Sequence, residues 1–323
     1  MIDNKRGFVI INWILVILIL LVIAFGIYYL YLNLPGEAED LELVLVDAPV
    51  IENQTSFLEV AQFYPNMKFN HNAISYEIGL DCSGEKRGRM IEAFNSLASK
   101  VELISFYEVM SNPDIEISCS EQEKNGVDED YFIAGEGGAK EIVQTGRYNV
   151  ISDGIVILHG NPHGSLECDW ANVELHELIH VFGFQHSEDS NSLMYPYLED
   201  CDQQLDDSII DELKRLYSEI NLADLYFEKV SAVKKGRYLD FNLTIKNSGT
   251  INSEATQFSI LDNGNLVESF DLGEISYGAG ISVEIKNLKL GSRNPDDIRF
   301  VIDREDIVDE YDSENNVATV NLS

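Results

Sequence analysis

Apolar residues follow three different patterns along this chain of 323 residues, and each pattern has its own region. Phe8 to Leu34 is an almost unbroken apolar run in which only Asn12 and Asn33 are strongly polar. A helix of that length is long enough to span a bilayer. The middle of the chain mixes helical spacing with short apolar runs. After about residue 222, apolar and polar positions alternate.

The middle region predicts strands and helices in alternation. We expect a strand over 68–80 and a helix over 84–101, where apolar residues recur at helical spacing. Shorter strands are expected at 103–107, 115–118 and 154–158. The glycine-rich segment 134–138 predicts a turn or flexible loop. A last helix is expected to begin after Asp206 or Asp207 and to bury an apolar stripe of Ile209, Ile210, Leu213, Leu216, Tyr217 and Ile220.

The C-terminal hundred residues predict an all-β domain. Leu239, Phe241, Leu243 and Ile245 alternate with polar residues, as expected of a strand with one buried face. The triplet Asp262-Asn263-Gly264 is a strong turn signal between two strands. About seven short strands in roughly 100 residues are typical of an immunoglobulin-like sandwich.

The charged residues on either side of the apolar run predict its orientation in a membrane. Lys5 and Arg6 precede it, and Glu37, Glu39 and Asp40 follow it. The positive-inside rule therefore places the N-terminus in the cytoplasm and everything after the run outside. A cleavable signal peptide is the alternative, but the run is too long and lacks a small-x-small cleavage site. The net charge of −34 argues against nucleic acid and anionic membrane surfaces as partners.

The sequence from His176 to His186 reads H-E-x-x-H-x-x-G-x-x-H. Residues four apart on a helix share a face, so His176 and His180 can bind one ion. Glu177 lies beside that ion, and Gly183 can adopt the left-handed conformation that turns the chain so that His186 becomes the third ligand. Three protein ligands leave a position open for water, which indicates a catalytic zinc site.

The continuation to Pro196, H-S-E-D-S-N-S-L-M-Y-P, resembles the matrixins of the metzincin clan. The resemblance implies a catalytic domain of α+β type, with a twisted mixed sheet and a zinc helix. It implies that Met194 packs beneath the three histidines without binding the metal. An edge strand just before the zinc helix would receive the substrate backbone, and 154–158 is the candidate for that strand. The alternative is that 154–158 is an ordinary buried strand.

The same resemblance implies a zinc endopeptidase that acts on proteins or peptides. His176, His180 and His186 would hold one catalytic Zn²⁺, and Glu177 would be the general base that takes a proton from water. Some matrixins bind a second, structural zinc through histidines. His159 and His163 have no carboxylate partners nearby in the sequence, so that site is not expected here.

Near the C-terminus, the segment I-V-D-E-Y-D-S-E-N-N (307–316) is similar to the cell-adhesion-related CARDB domains. This implies a sandwich domain that can bind a partner at the cell surface, although the sequence indicates no ligand. Its carboxylates could bind Ca²⁺, but a solvated acidic turn is the simpler interpretation.

Together these observations predict four regions. They are a cytoplasmic stub with a transmembrane helix (1–36), an acidic tether (37–62), a matrixin-like metalloprotease domain (63–221) and a CARDB-like sandwich (222–323). The predicted protein is an extracytoplasmic, membrane-anchored endopeptidase. The alternative is an adhesion or peptide-binding protein with a vestigial zinc domain, and the intact Glu177 argues against it.

Four cysteines lie in the middle region. An even number outside the cytoplasm suggests two disulfides, for which three connectivities exist. We expect Cys82–Cys119 and Cys168–Cys201, the second of which would bracket the zinc helix and the methionine turn. Free buried thiols are the alternative.

Overall fold

The computed structural model describes residues 4–45, 61–124, 132–160, 170–198 and 201–321. Helix α1 (Asn4–Asn33) contacts the rest of the protein at its C-terminal end, and its large apolar side chains from Trp13 to Tyr31 are exposed. Its 21 residues Trp13–Asn33 are long and apolar enough to cross a membrane. An exposed apolar helix of this length is typical of a membrane anchor or a signal sequence.

The middle region forms one mixed sheet with helices packed on it. Strands β6, β7, β5, β3 and β4 lie side by side in that order, and the short β2 pairs with the start of β7. All pairings are parallel except that of β6 with β7. The bounds are β2 Met67–Lys68, β3 Ala73–Ile78, α2 Gly84–Val101, β4 Ser105–Glu108, β5 Ile115–Glu123, β6 Gly135–Gln144, β7 Asn149–Gly160, α3 Asn172–Val181 and α4 Asp207–Ser218.

The structure corrects two expectations about this sheet. The segment 134–138 was expected to be a loop, but residues from Gly135 onward begin strand β6. The segment 154–158 was expected to be the edge strand, yet it lies inside β7, between β6 and β5. Among the described strands, the edge beside α3 is therefore β6. Glycines usually indicate turns, and here they allow a strand to lie close to a helix.

Local periodicity predicted α2 correctly, including its bounds. Its buried residues, Met90, Ala93, Phe94, Leu97 and Val101, face the sheet and α3. The Ser83 side chain caps its first turn by accepting a hydrogen bond from the Lys86 N–H. Burial of this apolar face stabilises the helix more than intrinsic propensity does.

The C-terminal region is an antiparallel sandwich, as the alternating pattern predicted. Its own strands are β8 Leu225–Lys235, β9 Tyr238–Asn247, β10 Thr256–Asp262, β11 Asn265–Gly273, β12 Gly280–Lys289, β13 Ile298–Ile302 and β14 Val317–Asn321. The rings of Phe241, Phe258 and Phe300 form the centre of its core. Asn263 and Gly264 both have positive φ, of 50° and 76°, which forms the predicted tight turn between β10 and β11.

The sandwich has an eighth strand, which precedes the middle region in the sequence. Strand β1 (Ala38–Leu45) pairs with β8 through its first half and with β14 through its second half. Leu41, Leu43 and Leu45 pack against the sandwich core. The expected acidic tether over 37–62 is thus a sandwich strand in its first part, while 46–60 lies outside the described residues. The acidic residues of β1 face outward and obscured its leucine alternation.

One of the two expected disulfides is present, and it links Cys82 to Cys119. It joins the start of α2 to strand β5. Cys201 is also disulfide-bonded. Its expected partner, Cys168, lies outside the described residues, so that pairing stays a prediction.

Candidate active site

Three histidines come together at the end of helix α3. The helix carries His176 and His180 one turn apart, and Gly183 then reverses the chain with a φ of 86°. His186 returns to the same point, so that its Nε2 lies 3.1 Å from His180 Nε2. The His176 and His180 Nε2 atoms are also 3.1 Å apart. Among the described residues, this is the only group of three His, Cys, Asp or Glu side chains close enough to hold a metal ion.

The hydrogen bonds of the rings set their tautomers. The Nδ1–H of His176 donates to the Leu193 carbonyl oxygen at 2.7 Å, and that of His180 donates to the Phe184 carbonyl oxygen at 2.6 Å. The Nε2 atoms therefore carry lone pairs and cannot donate to each other. Tetrahedral zinc with bonds of about 2.0–2.1 Å separates its nitrogens by about 3.3 Å, close to the separations here. The donor set therefore fits a zinc ion.

Burial keeps these imidazoles neutral, as metal ligation requires. It is the main cause that lowers the pKa of His176 to about 3 and that of His180 to about 4. Burial also lowers the pKa of the less buried His186. At neutral pH, lone pairs are therefore available at all three rings.

Glu177 lies next to the triad on α3 and is 7% exposed. Burial, followed by the nearby Glu136 carboxylate, raises its pKa to about 8. The Gly137 N–H donates a hydrogen bond to the Glu177 carboxylate and opposes that rise. A cation bound at the histidines would also favour the ionised form.

Strand β6 passes close to Glu177 because it has no side chains at two positions. A Cβ on Gly135 would lie 2.6 Å from Glu177 Cγ, and one on Gly137 would lie 2.0 Å from the Glu177 carbonyl oxygen. A Cβ at Gly137 would displace the backbone of strand or helix, and one at Gly135 would displace the Glu177 side chain. Sequence reasoning missed this role of the glycines, although their spacing of two was visible.

The Glu136 side chain anchors this part of β6. Its Oε1 lies 2.7 Å from His159 Nε2 and accepts a hydrogen bond from Lys124 Nζ at 2.6 Å. His159 thus has a carboxylate partner that is distant in sequence. The Lys124 ammonium already places a positive charge next to the Glu136 carboxylate. His163 lies outside the described residues.

The loop around Met194 is held by hydrogen bonds and orients one of the three histidines. Met194 is fully buried and belongs to the core of the middle region. Its N–H donates to Ser192 Oγ at 2.9 Å, and Ser192 Oγ donates to Asp206 Oδ2 at 2.5 Å. The Ser187 N–H donates to the Met194 carbonyl oxygen at 2.8 Å. These bonds fix the loop whose Leu193 carbonyl orients His176.

Two acidic residues of the sandwich accept hydrogen bonds from protein donors. Asp224 accepts hydrogen bonds from Ser248 and Asn315, and Glu310 accepts from the Leu225 N–H and from Asn316. This buried network joins β8 to the chain before β14. The expected solvated acidic turn is therefore partly wrong, because Glu310 belongs to that network.

Comparison with known proteins identifies both domains. The Matrixin family model of the M10 peptidases matches residues 68–218, and the CARDB model matches residues 222–320. The sandwich is similar to the CARDB domain of a Pyrococcus furiosus protein solved in complex with di-metal ions, at 19% identity, covering 32% of this chain and 88% of that one with a TM-score of 0.24. It is also similar to a domain of a Methanosarcina acetivorans protein assigned to the cell surface, at 18% identity, covering 32% and 93% with a TM-score of 0.26.

No curated protein matches the chain. The assignment rests on the two family models, which agree with the mixed sheet and with the antiparallel sandwich described above. The chain thus consists of an apolar N-terminal helix, a matrixin domain of the kind found in M10 metallopeptidases at 68–218, and a CARDB domain at 222–320.

Proposed function

We propose that this protein is a zinc endopeptidase anchored in a membrane by α1, with its matrixin and CARDB domains on the extracytoplasmic side. The observation that carries the proposal is the convergence of three imidazole lone pairs beside a buried carboxylate. A protein that only bound peptides would have no use for Glu177 at that position.

His176, His180 and His186 would hold the zinc through Nε2. A bound zinc ion supplies Lewis acidity, which makes water more acidic and polarises a carbonyl. Glu177 accepts the proton of the attacking water and delivers it to the departing amine. Because α3 fixes Glu177 directly after His176, the carboxylate and the metal ligands keep one relative position.

The substrate is an extended peptide segment. Within the described part of the sheet, β6 pairs with β7 and with no other strand, so its outer edge can pair with a peptide backbone. Peptide addition to a sheet edge relies on main-chain hydrogen bonds and is tolerant of sequence. Gly135 and Gly137 place the start of that edge beside Glu177.

Two observations support the extracytoplasmic, anchored topology. The Cys82–Cys119 disulfide is typical of an oxidising compartment. The end of α1 is held by the sandwich, since Tyr238 Oη donates to the Asn33 carbonyl oxygen at 3.0 Å. A helix integrated in this way fits a retained anchor better than a removable signal.

The test uses the full chain purified in detergent, with metal analysis and cleavage of casein. We expect bound zinc and a chelator-sensitive peptidase activity. E177Q should keep its zinc while turnover falls by about 10²–10⁴, the usual contribution of a general base. E188Q, which changes a nearby exposed carboxylate, is the matched control and should leave turnover unchanged. A wild-type protein without zinc, or a fully active E177Q, would refute the proposal.

A further inference from the structure

We propose that the CARDB sandwich is a rigid stand that fixes the height of the protease above the membrane. The enzyme would then cut membrane-held proteins at bonds exposed several tens of ångströms from the bilayer and would spare bonds close to it. This inference rests on the proposed function and adds a substrate class to it: extended segments in the outer parts of membrane-anchored ectodomains.

The lower end of the sandwich holds the membrane helix. Arg293 Nη1 donates to the carbonyl oxygens of Tyr31 and Leu34, and its guanidinium lies 4.5 Å from the centroid of the Tyr31 ring. Tyr238 bonds the carbonyl of Asn33, the last residue of α1. These contacts satisfy carbonyls at the helix end, which otherwise lack partners.

The chain after α1 enters the sandwich almost at once. Four residues separate Asn33 from β1, and β1 is then paired on both sides, first with β8 and then with β14. Gly36 and Gly236 approach so closely that a Cβ on Gly36 would lie 2.9 Å from the Gly236 nitrogen. The connection between helix and sandwich is therefore short and packed, unlike a flexible linker.

The upper end of the sandwich holds the protease. The Gly146 N–H donates to the Ser248 carbonyl oxygen at 2.9 Å, and Asn70 Nδ2 donates to the Thr250 carbonyl oxygen at 3.1 Å. The Tyr311 ring lies 6.0 Å from that of Tyr148, at the turn after β6. Tyr311 and Tyr277 both pack against the protease core.

Strand β8 connects these two ends. It begins at Leu225, directly after Ala223 and Asp224, whose carbonyls bond Tyr311 and Ser248 at the protease end. It ends at Lys235, which pairs with Ala38 just after the membrane helix. The eleven residues of this strand are joined by ten steps of about 3.3 Å, which separate the ends by roughly 33 Å.

The active site lies farther still from the sandwich. Strand β6 starts beside Glu177 at Gly135 and ends at Gln144, where a Cβ on Gly278 of the sandwich would lie 3.2 Å from the Gln144 carbonyl oxygen. The end of β6 that lies beside Glu177 is thus the end that points away from the sandwich. The net charge of −34 also disfavours a pose that lies flat on anionic lipid.

The experiment places the full-length enzyme in proteoliposomes with a membrane-anchored substrate. A casein segment that the enzyme cleaves in solution is attached to a transmembrane helix through helical spacers of about 10 Å or about 60 Å, at about 1.5 Å per residue. We expect the distant site to be cut at least about tenfold faster, because a site that cannot be reached has an effective concentration near zero. Both substrates without their anchors should be cut at equal rates.

A matched variant carries a flexible Gly-Ser segment of about 20 residues between Pro35 and Gly36. It should cleave free peptide like the wild type, yet lose the preference for the distant site. Equal cleavage of both anchored substrates by the wild type would overturn the stand, and so would an unchanged preference in the insertion variant. If free peptide is not cleaved at all, the proposed function fails and the stand falls with it.

Discussion

Gly137 lies directly against the backbone of Glu177. A methyl group on its Cα would lie 2.0 Å from the Glu177 carbonyl oxygen and 2.8 Å from the Glu177 Cα. The adjacent Gly138 has no such neighbour, since a Cβ there would meet nothing within 4 Å. Of these two consecutive glycines of β6, only Gly138 has room for a side chain. Substitution of each therefore tests how closely β6 packs against α3.

G137A should push β6 away from α3. Overpacking of this kind costs about 1–3 kcal/mol, and displacement of the strand should lower kcat/KM for casein peptides. G138A is the matched control and should change neither quantity appreciably. Thermal unfolding and initial rates of both variants provide the measurement. Equal behaviour of the two variants would contradict the close contact.

S192A should weaken the support of His176. Ser192 is buried and links the Met194 N–H to Asp206 through its hydroxyl, beside the carbonyl that orients the His176 ring. Loss of a buried partner costs about 1–3 kcal/mol, and outer-shell changes at metal sites reduce affinity by about 10–100-fold. A zinc competition titration measures the affinity. S190A, at an exposed position in the same loop, should bind zinc like the wild type, and a normal S192A would show that the link is dispensable.

L43D should destabilise the C-terminal domain, although Leu43 precedes the matrixin domain in sequence. The side chain packs on the sandwich core, so a carboxylate there would lose its hydration without a partner. The next residue, Val44, is 58% exposed, and V44D should be tolerated. Limited proteolysis of the full chain, read at the sandwich, distinguishes the two variants. Equal resistance would mean that β1 is not an integral strand.

Stability near Glu310 should depend on pH. Burial, reinforced by the charges of Asp224 and Asp303, raises its pKa from 4.5 to about 7. The folded state therefore favours the protonated form, and this stabilisation is complete below about pH 4.5 and is lost as pH rises through about 7. Because E310Q does not titrate there, the thermal midpoint of the wild type should fall relative to that of E310Q over this range. A constant difference between the two would contradict the prediction.

The convergence of the three histidines could be predicted from the sequence, because it depends only on residues that are close together in the chain. The four-residue spacing of His176 and His180, the turn at Gly183 and the return of His186 all follow from short-range geometry, and the structure brings these side chains together. The buried stripe of α2 and the Asn263-Gly264 turn were predicted for the same reason.

The features that sequence reasoning missed depend on distant partners. Residues of β6 form a strand because they pair with β7 and pack against α3. The glycines alone would favour a loop. Glu136 and His159 are 23 residues apart and meet only because their strands pair. Likewise, β1 becomes a strand only through β8 and β14, and no local signal identifies partners so remote.

Strand β1 also links the sandwich to the order of synthesis. It is synthesised directly after α1, yet Glu42 pairs with Asn321, which is made almost three hundred residues later. The ribosome must therefore deliver the whole matrixin domain before the sandwich can close, and until then β1 lacks its partner strands. Premature termination would leave β1 as an open, aggregation-prone edge.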